Sequence, residues 1–237
     1  MFGQLLEEVS SLDSKLFRSF RAFLFSPGLL AYEHWRGARK PYLKPVTLFL
    51  IVNVIYFLVS PITDFALPLN NQAIQPYGAW VTKVIDGYVA SSGESFDQVA
   101  ARYDALTQVV AKSIVIVSVP FLVPFVWICS PFRRFYLLDH TVFALHHYAF
   151  VLIWPVAASG IGYSLHALGL EAFLPGWTNA ALLFLPLYAY GVVGVKRAYG
   201  GGWIGALLKG IVLFVGVAVS HFIYRLIQFW VVWWQVT

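Results

Sequence analysis

The sequence predicts an all-α, polytopic membrane helix bundle of about five transmembrane helices, preceded by an N-terminal interfacial amphipathic helix. Of 237 residues, 59% are hydrophobic and only 11% charged, against roughly a quarter charged in soluble domains, and the mean hydropathy is +0.73. Several apolar runs approach or exceed the ~18–20 residues a helix needs to cross a bilayer core. Lys and Arg gather at the ends of these runs, as the positive-inside rule demands.

Residues 1–44 form the cytoplasmic segment. Leu5, Val9, Leu12, Leu16, Phe20 and Phe23 recur at helical spacing while Lys15, Arg18 and Arg21 fall elsewhere on the wheel, the pattern of a helix lying in the membrane interface. Glu7, Glu8 and Asp13 precede the basic residues and no uninterrupted apolar core follows them, so a cleaved signal peptide is not expected. Ser26-Pro27-Gly28 breaks the helix, and Leu29 to Trp35 forms a short surface turn before the basic entrance Arg36, Arg39, Lys40 and Lys44.

Residues 45–237 form the transmembrane domain, with spans near 46–67, 107–128, 137–161, 180–195 and 203–234. Pro120 and Pro124 kink the second span. Between the first two, the outer loop 68–106 carries helix-like apolar spacing at Val81, Ile85, Tyr88 and then Val99, Tyr103, Leu106, predicting two short capping helices. The last segment, 203–234, would be roughly 48 Å long against a core of about 30 Å, so it must tilt or emerge near Arg225. Its end, Phe229, Trp230, Trp233 and Trp234, suits an aromatic interface belt.

The N-terminal region to Lys44 holds seven Lys and Arg, and the turns at Arg133-Arg134 and Lys196-Arg197 two each, whereas the outer loop has only Lys83 and Arg102. Five spans in an inner membrane, N-terminus cytoplasmic and C-terminus periplasmic, satisfy this bias. The net charge of +5 is thereby explained by topology, and no nucleic-acid partner is expected. The basic groups Arg39, Lys40, Lys44, Arg133 and Arg134 are placed to meet anionic lipid headgroups, the principal expected partner. A homo-oligomer or a larger membrane complex is the other.

The third span carries the most informative residues. Asp139, His140, His146 and His147 are ionisable groups in a stretch otherwise apolar enough to cross the bilayer, where they are costly and usually functional. Positions seven apart return to nearly one helix face. His140 therefore aligns with His147 and Asp139 with His146, a stripe descending about 10 Å from the cytoplasmic interface. Asn53, near the middle of the first span, is the candidate hydrogen-bond partner. Asp64 and Arg225 should lie at similar outer depth and form an ion pair. Gly160, Gly162, Gly191, Gly194, Gly210 and Gly216 would let helices approach closely, and among these only Gly191 and Gly194 are one turn apart on a shared face.

One cysteine, Cys129, permits no intramolecular disulfide and no Cys-rich zinc site. With His34, His166 and His221 the only other histidines, no metal and no cofactor is expected. Gly-x-Ser-x-Gly, phosphate-cradling glycine and His-Glu-x-x-His signatures are missing.

Two segments together resemble the bacterial membrane-protein family known as domain of unknown function 3667. The first is Gly37, Arg39, Lys40, Pro41, Tyr42, Lys44 and Pro45, leading into Leu48, Phe49 and Leu50; the second is Asp139, His140, Val142, Phe143, Ala144, Leu145, His146, Ala149 and Phe150. Where members of that family carry a further histidine this chain has Tyr148, with His147 beside His146, and it lacks the cysteine zinc ribbon with which members often begin. The resemblance implies a shared membrane fold and marks the third-span stripe as its signature, and it implies no reaction. Small-ion or proton permeation through the His/Asp stripe is the leading functional expectation. A lipid- or isoprenoid-modifying enzyme at the cytoplasmic leaflet and an accessory subunit of a membrane complex are the alternatives.

Overall fold

The computed structural model describes residues 2–59, 65–130, 135–170 and 175–237, with side chains from Asp13 onward. Among these residues the chain is helical throughout, without strands: α1 (Phe2–Phe25), α2 (Leu29–Trp35), α3 (Pro45–Val59), α4 (Gly78–Ser92), α5 (Phe96–Ile114), α6 (Ser118–Ile128), α7 (Leu137–Ala167), α8 (Thr178–Tyr199) and α9 (Trp203–Val236). A bilayer leaves this choice to apolar sequences, because helices satisfy their own backbone groups.

Four helical stretches are long and apolar enough to span a membrane: Phe96–Ile128, Leu137–Ala167, Thr178–Tyr199 and Trp203–Val236. Of the expected first span, 46–67, the structure shows the apolar helix α3, 15 residues long, about 22 Å of rise; residues 60–64, including Asp64, lie outside the described residues. The second capping helix expected in the outer loop does not stop at Leu106. It starts at Phe96 and runs into the second span through a single 3-10 turn, Val115–Val117. Its start is a capping box in which Ser95 Oγ accepts from Gln98 N–H and Gln98 Oε1 accepts from Ser95 N–H. α9 is one helix of 34 residues without a break at Arg225, about 51 Å long.

The chain divides into two compact units. The first comprises Met1–Val59 and Val119–Ala218. In it α7 is central, packed against α2, α3 and α8. The α1 to α2 turn lies on α8 so closely that a Cβ on Gly28 would fall 2.3 Å from the Gly194 carbonyl oxygen. Gly28 also has φ 77, a left-handed conformation that glycine alone adopts cheaply. Tyr190 Oη donates to the Phe23 carbonyl at 2.8 Å and Arg197 Nη1 to the Pro27 carbonyl at 3.0 Å, fastening both sides of that turn to α8. Gly210 and Gly216 make the expected close approaches: added Cβ atoms would lie 2.3 Å from Val192 Cγ2 and 2.6 Å from Phe125 Cβ.

The second unit comprises Ser60–Ser118 and Val219–Thr237. Val81 and Ile85 of α4 and Val99 and Tyr103 of α5 bury against Phe229, Val232 and Trp233 of α9. The terminal aromatic cluster is therefore only partly an interface belt: Phe229 is fully buried and Trp233 nearly so, while Trp234 is 83% exposed. Leu69 N–H donates to Asp104 Oδ1 at 2.8 Å, and Gln72 bridges Tyr103 and Tyr77 at 3.0 Å each.

Gly28→Ala should lower the unfolding free energy in detergent by about 2–4 kcal/mol, the sum of left-handed strain and displaced backbone. Gly37→Ala, at a similar φ of 82 but with open space around its Cβ, should cost only about 1 kcal/mol. Equal losses for the two variants would show that Gly28 does not pack on α8.

Candidate functional site

The entrance to α7 is built from capping groups. Asp139, in the first turn of α7, accepts a hydrogen bond from Tyr136 N–H on Oδ2 at 2.9 Å, placing its negative charge where exposed N–H groups and the helix dipole favour it. Its backbone carbonyl accepts from Trp35 Nε1 of α2 at 3.3 Å. One residue further, His140 Nδ1 shares a hydrogen bond of 2.9 Å with Tyr199 Oη at the end of α8. The two rings lie nearly parallel, and Trp35 and Phe135 close around the same tyrosine. Asp139 and His140 thus knit the ends of α2, α7 and α8 together.

His146 and His147 sit differently. They are 7% and 4% exposed, and neither Nδ1 has a hydrogen-bond partner among the described residues. Both line a small chamber whose other walls are Phe23 of α1, the turn and start of α2 from Ser26 to Ala31, Phe143 of α7 and Tyr190 of α8. Its volume of ≈ 10 Å³ admits about one water molecule. The ring of His147 stacks on Phe143 and reaches α8 because Gly191 has no side chain: a Cβ there would lie 3.2 Å from His147 Cε1. On the far side Phe150 and Tyr190 stack at 3.6 Å between ring centroids.

The stripe read along α7 is therefore split. Its lower pair, His146 and His147, shares one chamber; its upper pair, Asp139 and His140, is engaged in helix capping and in the bond to Tyr199. Asn53 lies half-buried on α3 and is not among the chamber's lining residues. Sequence reasoning missed Phe23, Gly28, Tyr190 and Tyr199, although the Ser-Pro-Gly break and the Gly191/Gly194 pair were visible signs of close packing.

A second cavity opens beside the first. Lys15 of α1, His34 of α2, and Arg39, Lys40 and Lys44 of the following link surround a cup of ≈ 530 Å³ with Leu30, Ala38, Tyr42, Leu43 and Pro45. The link is pinned by Leu43 N–H donating to Ser19 Oγ at 2.8 Å and Arg39 Nε donating to the His34 carbonyl at 3.1 Å. Burial, then the neighbouring Arg39 charge, holds the His34 imidazole below its ordinary pKa, opposed by the Asp139 carboxylate. Leu30 lines both cavities. Arg133 and Arg134 lie outside the described residues.

Elsewhere, Arg225 Nη1 donates to Gln75 Oε1 at 2.8 Å; the ion pair expected between Arg225 and Asp64 falls outside the described residues, because Asp64 does. A cleft of ≈ 590 Å³ between α7 and α8, lined by Ser159, Tyr163, His166 and Asn179, shares no residue with the chamber or the cup. Among the described residues no group of three or more His, Cys, Asp or Glu is placed to hold a metal ion.

Three outcomes follow from this geometry. Tyr199→Phe should cost about 1–2 kcal/mol in detergent unfolding, because it strands the buried His140 nitrogen, whereas His147→Leu should be neutral or stabilising, since it removes an unsatisfied polar atom. Comparable losses for both would contradict the assignment. In an NMR titration His34 should have its midpoint below 6.5, and Arg39→Gln should raise it; stability linked to His34 is present above the unfolded pKa and is lost on acidification through it.

Neither curated proteins nor solved structures include a match to this chain. A family model described as "protein of unknown function (DUF3667)" matches residues 13–57, which span the second half of α1, α2, the basic link and nearly all of α3. The histidine segment of α7 falls outside the matched stretch. In the elements that build the basic cup, the chain resembles the DUF3667 family.

Proposed function

We propose that this multi-pass membrane protein binds anionic lipid headgroups in the cup formed by α1, α2 and the basic link, with the histidine chamber directly behind it. One observation carries the proposal: Lys15, His34, Arg39, Lys40 and Lys44 converge on a single cavity that has no carboxylate among its described lining residues. Leu30, Leu43 and Pro45 supply apolar wall for the first segment of a lipid tail. In the topology that goes with this function the cup faces the cytoplasm of an inner-membrane protein. The amphipathic α1 then lies in the interface, and α3 with the residues after it makes the first of five crossings. The clustering of positive charge at the α1 to α3, α6 to α7 and α8 to α9 connections supports that orientation.

Each Lys or Arg near an anionic surface is worth about 1 kcal/mol. Replacing Arg39, Lys40 and Lys44 together with Gln should therefore weaken retention of phosphatidylglycerol by roughly 100-fold, read by native mass spectrometry of protein released from mixed-lipid membranes. Retention unchanged from wild type would refute headgroup binding in the cup.

A second activity, proton or small-ion transfer, is favoured by a different observation: two adjacent imidazoles with unpartnered buried Nδ1 atoms share one water-sized chamber. A neutral imidazole beside a water can pass a proton. In liposomes, His146→Ala plus His147→Ala should abolish any pH-driven flux; flux equal to wild type would exclude the pair from it.

A further inference from the structure

We infer that the cup selects a terminal phosphate, a phosphomonoester or diphosphate, over a phosphodiester; this rests on the headgroup reading above and names its ligand class. The first ground is charge. Lys15, Arg39, Lys40 and Lys44 contribute four positive charges around one cavity of ≈ 530 Å³, with no carboxylate among its described lining residues. A phosphodiester headgroup such as that of phosphatidylglycerol brings a single negative charge, whereas a phosphomonoester carries about −1.5 to −2 near neutral pH. The more highly charged group comes closer to balancing the cup.

The second ground is that these cations are held together despite their mutual repulsion. They arrive from two parts of the chain, α1 and the link, and the link bearing three of them is tied to α1 through Leu43 and Ser19 and to α2 through Arg39 and His34. Like charges so fixed destabilise the empty cup, and an anion relieves them in proportion to its own charge. Because the repulsion is built into the backbone path, it favours the dianion over the monoanion.

The third ground is donor geometry. Arg39 Nε is already engaged by the His34 carbonyl, which leaves the outer guanidinium nitrogens to a ligand, and each lysine ammonium offers three donors. A terminal phosphate presents three unesterified oxygens to such a set, a diester only two. His34, whose pKa is held below its ordinary value by burial and then by Arg39, adds an imidazole to the same lining. Leu30, Leu43 and Pro45 on the wall accommodate the apolar part of a lipid phosphate; free phosphate has no use for them.

The test uses the full chain in nanodiscs of phosphatidylcholine carrying a trace of fluorescent phosphatidate, with three competitors: phosphatidate, phosphatidylglycerol and soluble inorganic phosphate. Phosphatidate should displace the probe at an at least about fivefold lower mole fraction than phosphatidylglycerol, the worth of one further charge. Lys40→Gln plus Lys44→Gln should shrink that preference without lowering the unfolding temperature, since both side chains are exposed and their mutual repulsion is removed. Equal displacement by the two lipids overturns the selectivity and leaves headgroup binding standing. Failure of the fluorescent phosphatidate to bind at all overturns both. Displacement by inorganic phosphate as effective as by phosphatidate supports the terminal-phosphate class and assigns its source to free phosphate.

Discussion

Imidazoles on an otherwise apolar membrane helix have to be kept away from hydrocarbon, and most of the first unit can be understood as the means of doing so. His146 and His147 stand on the part of α7 that the α1 to α2 turn covers and against which α8 presents glycine. The cover is held by contacts that depend on the absence of side chains, Gly28 on Gly194 and His147 on Gly191. Two polar anchors flank them, Tyr190 to Phe23 and Arg197 to Pro27. Helix association in membranes has no hydrophobic drive of its own and relies on such close packing and interhelical hydrogen bonds. α1 and α2 are therefore part of the helical bundle.

The same docking creates the cup. Once α1 and α2 lie on α7 and α8, the link to α3 must turn back over them, and that link is where Arg39, Lys40 and Lys44 occur. The basic cavity and the histidine chamber are thus two sides of one arrangement, with Leu30 common to both.

Much of this was legible in the sequence. The beginnings of α7, α8 and α9 fall within two residues of those predicted, because long apolar periodicity bounded by Tyr136, Trp177 and a glycine-rich turn leaves little choice. The special character of His146 and His147 followed from their cost in a bilayer, and the basic entrance from its charge. What could not be read was which surface would meet the histidines. Periodicity gives the buried face of a helix but not its partner, and Gly28 with Gly194, or Phe23 with Tyr190, lie more than a hundred positions apart. Asp139 looked like a member of the polar stripe because side-chain capping of a membrane helix and a functional carboxylate have the same sequence appearance. The continuity of α5 into the second span was missed for a local reason, since Ser95 and Gln98 carry a capping-box signal that places the helix start well before the apolar run. Aromatic clusters at span ends usually lie in the membrane interface, but here α4 and α5 bury Phe229 and Trp233.

The central claim, that the N-terminal helices shield the histidine pair, is tested most directly by an experimental density map of the full chain in a lipid nanodisc. The account predicts the α1 to α2 turn lying on α8 at Gly194, with at most one water-sized peak between that turn and the imidazoles of His146 and His147. Acyl-chain density against those imidazoles, with α1 and α2 displaced from α7 and α8, would contradict it.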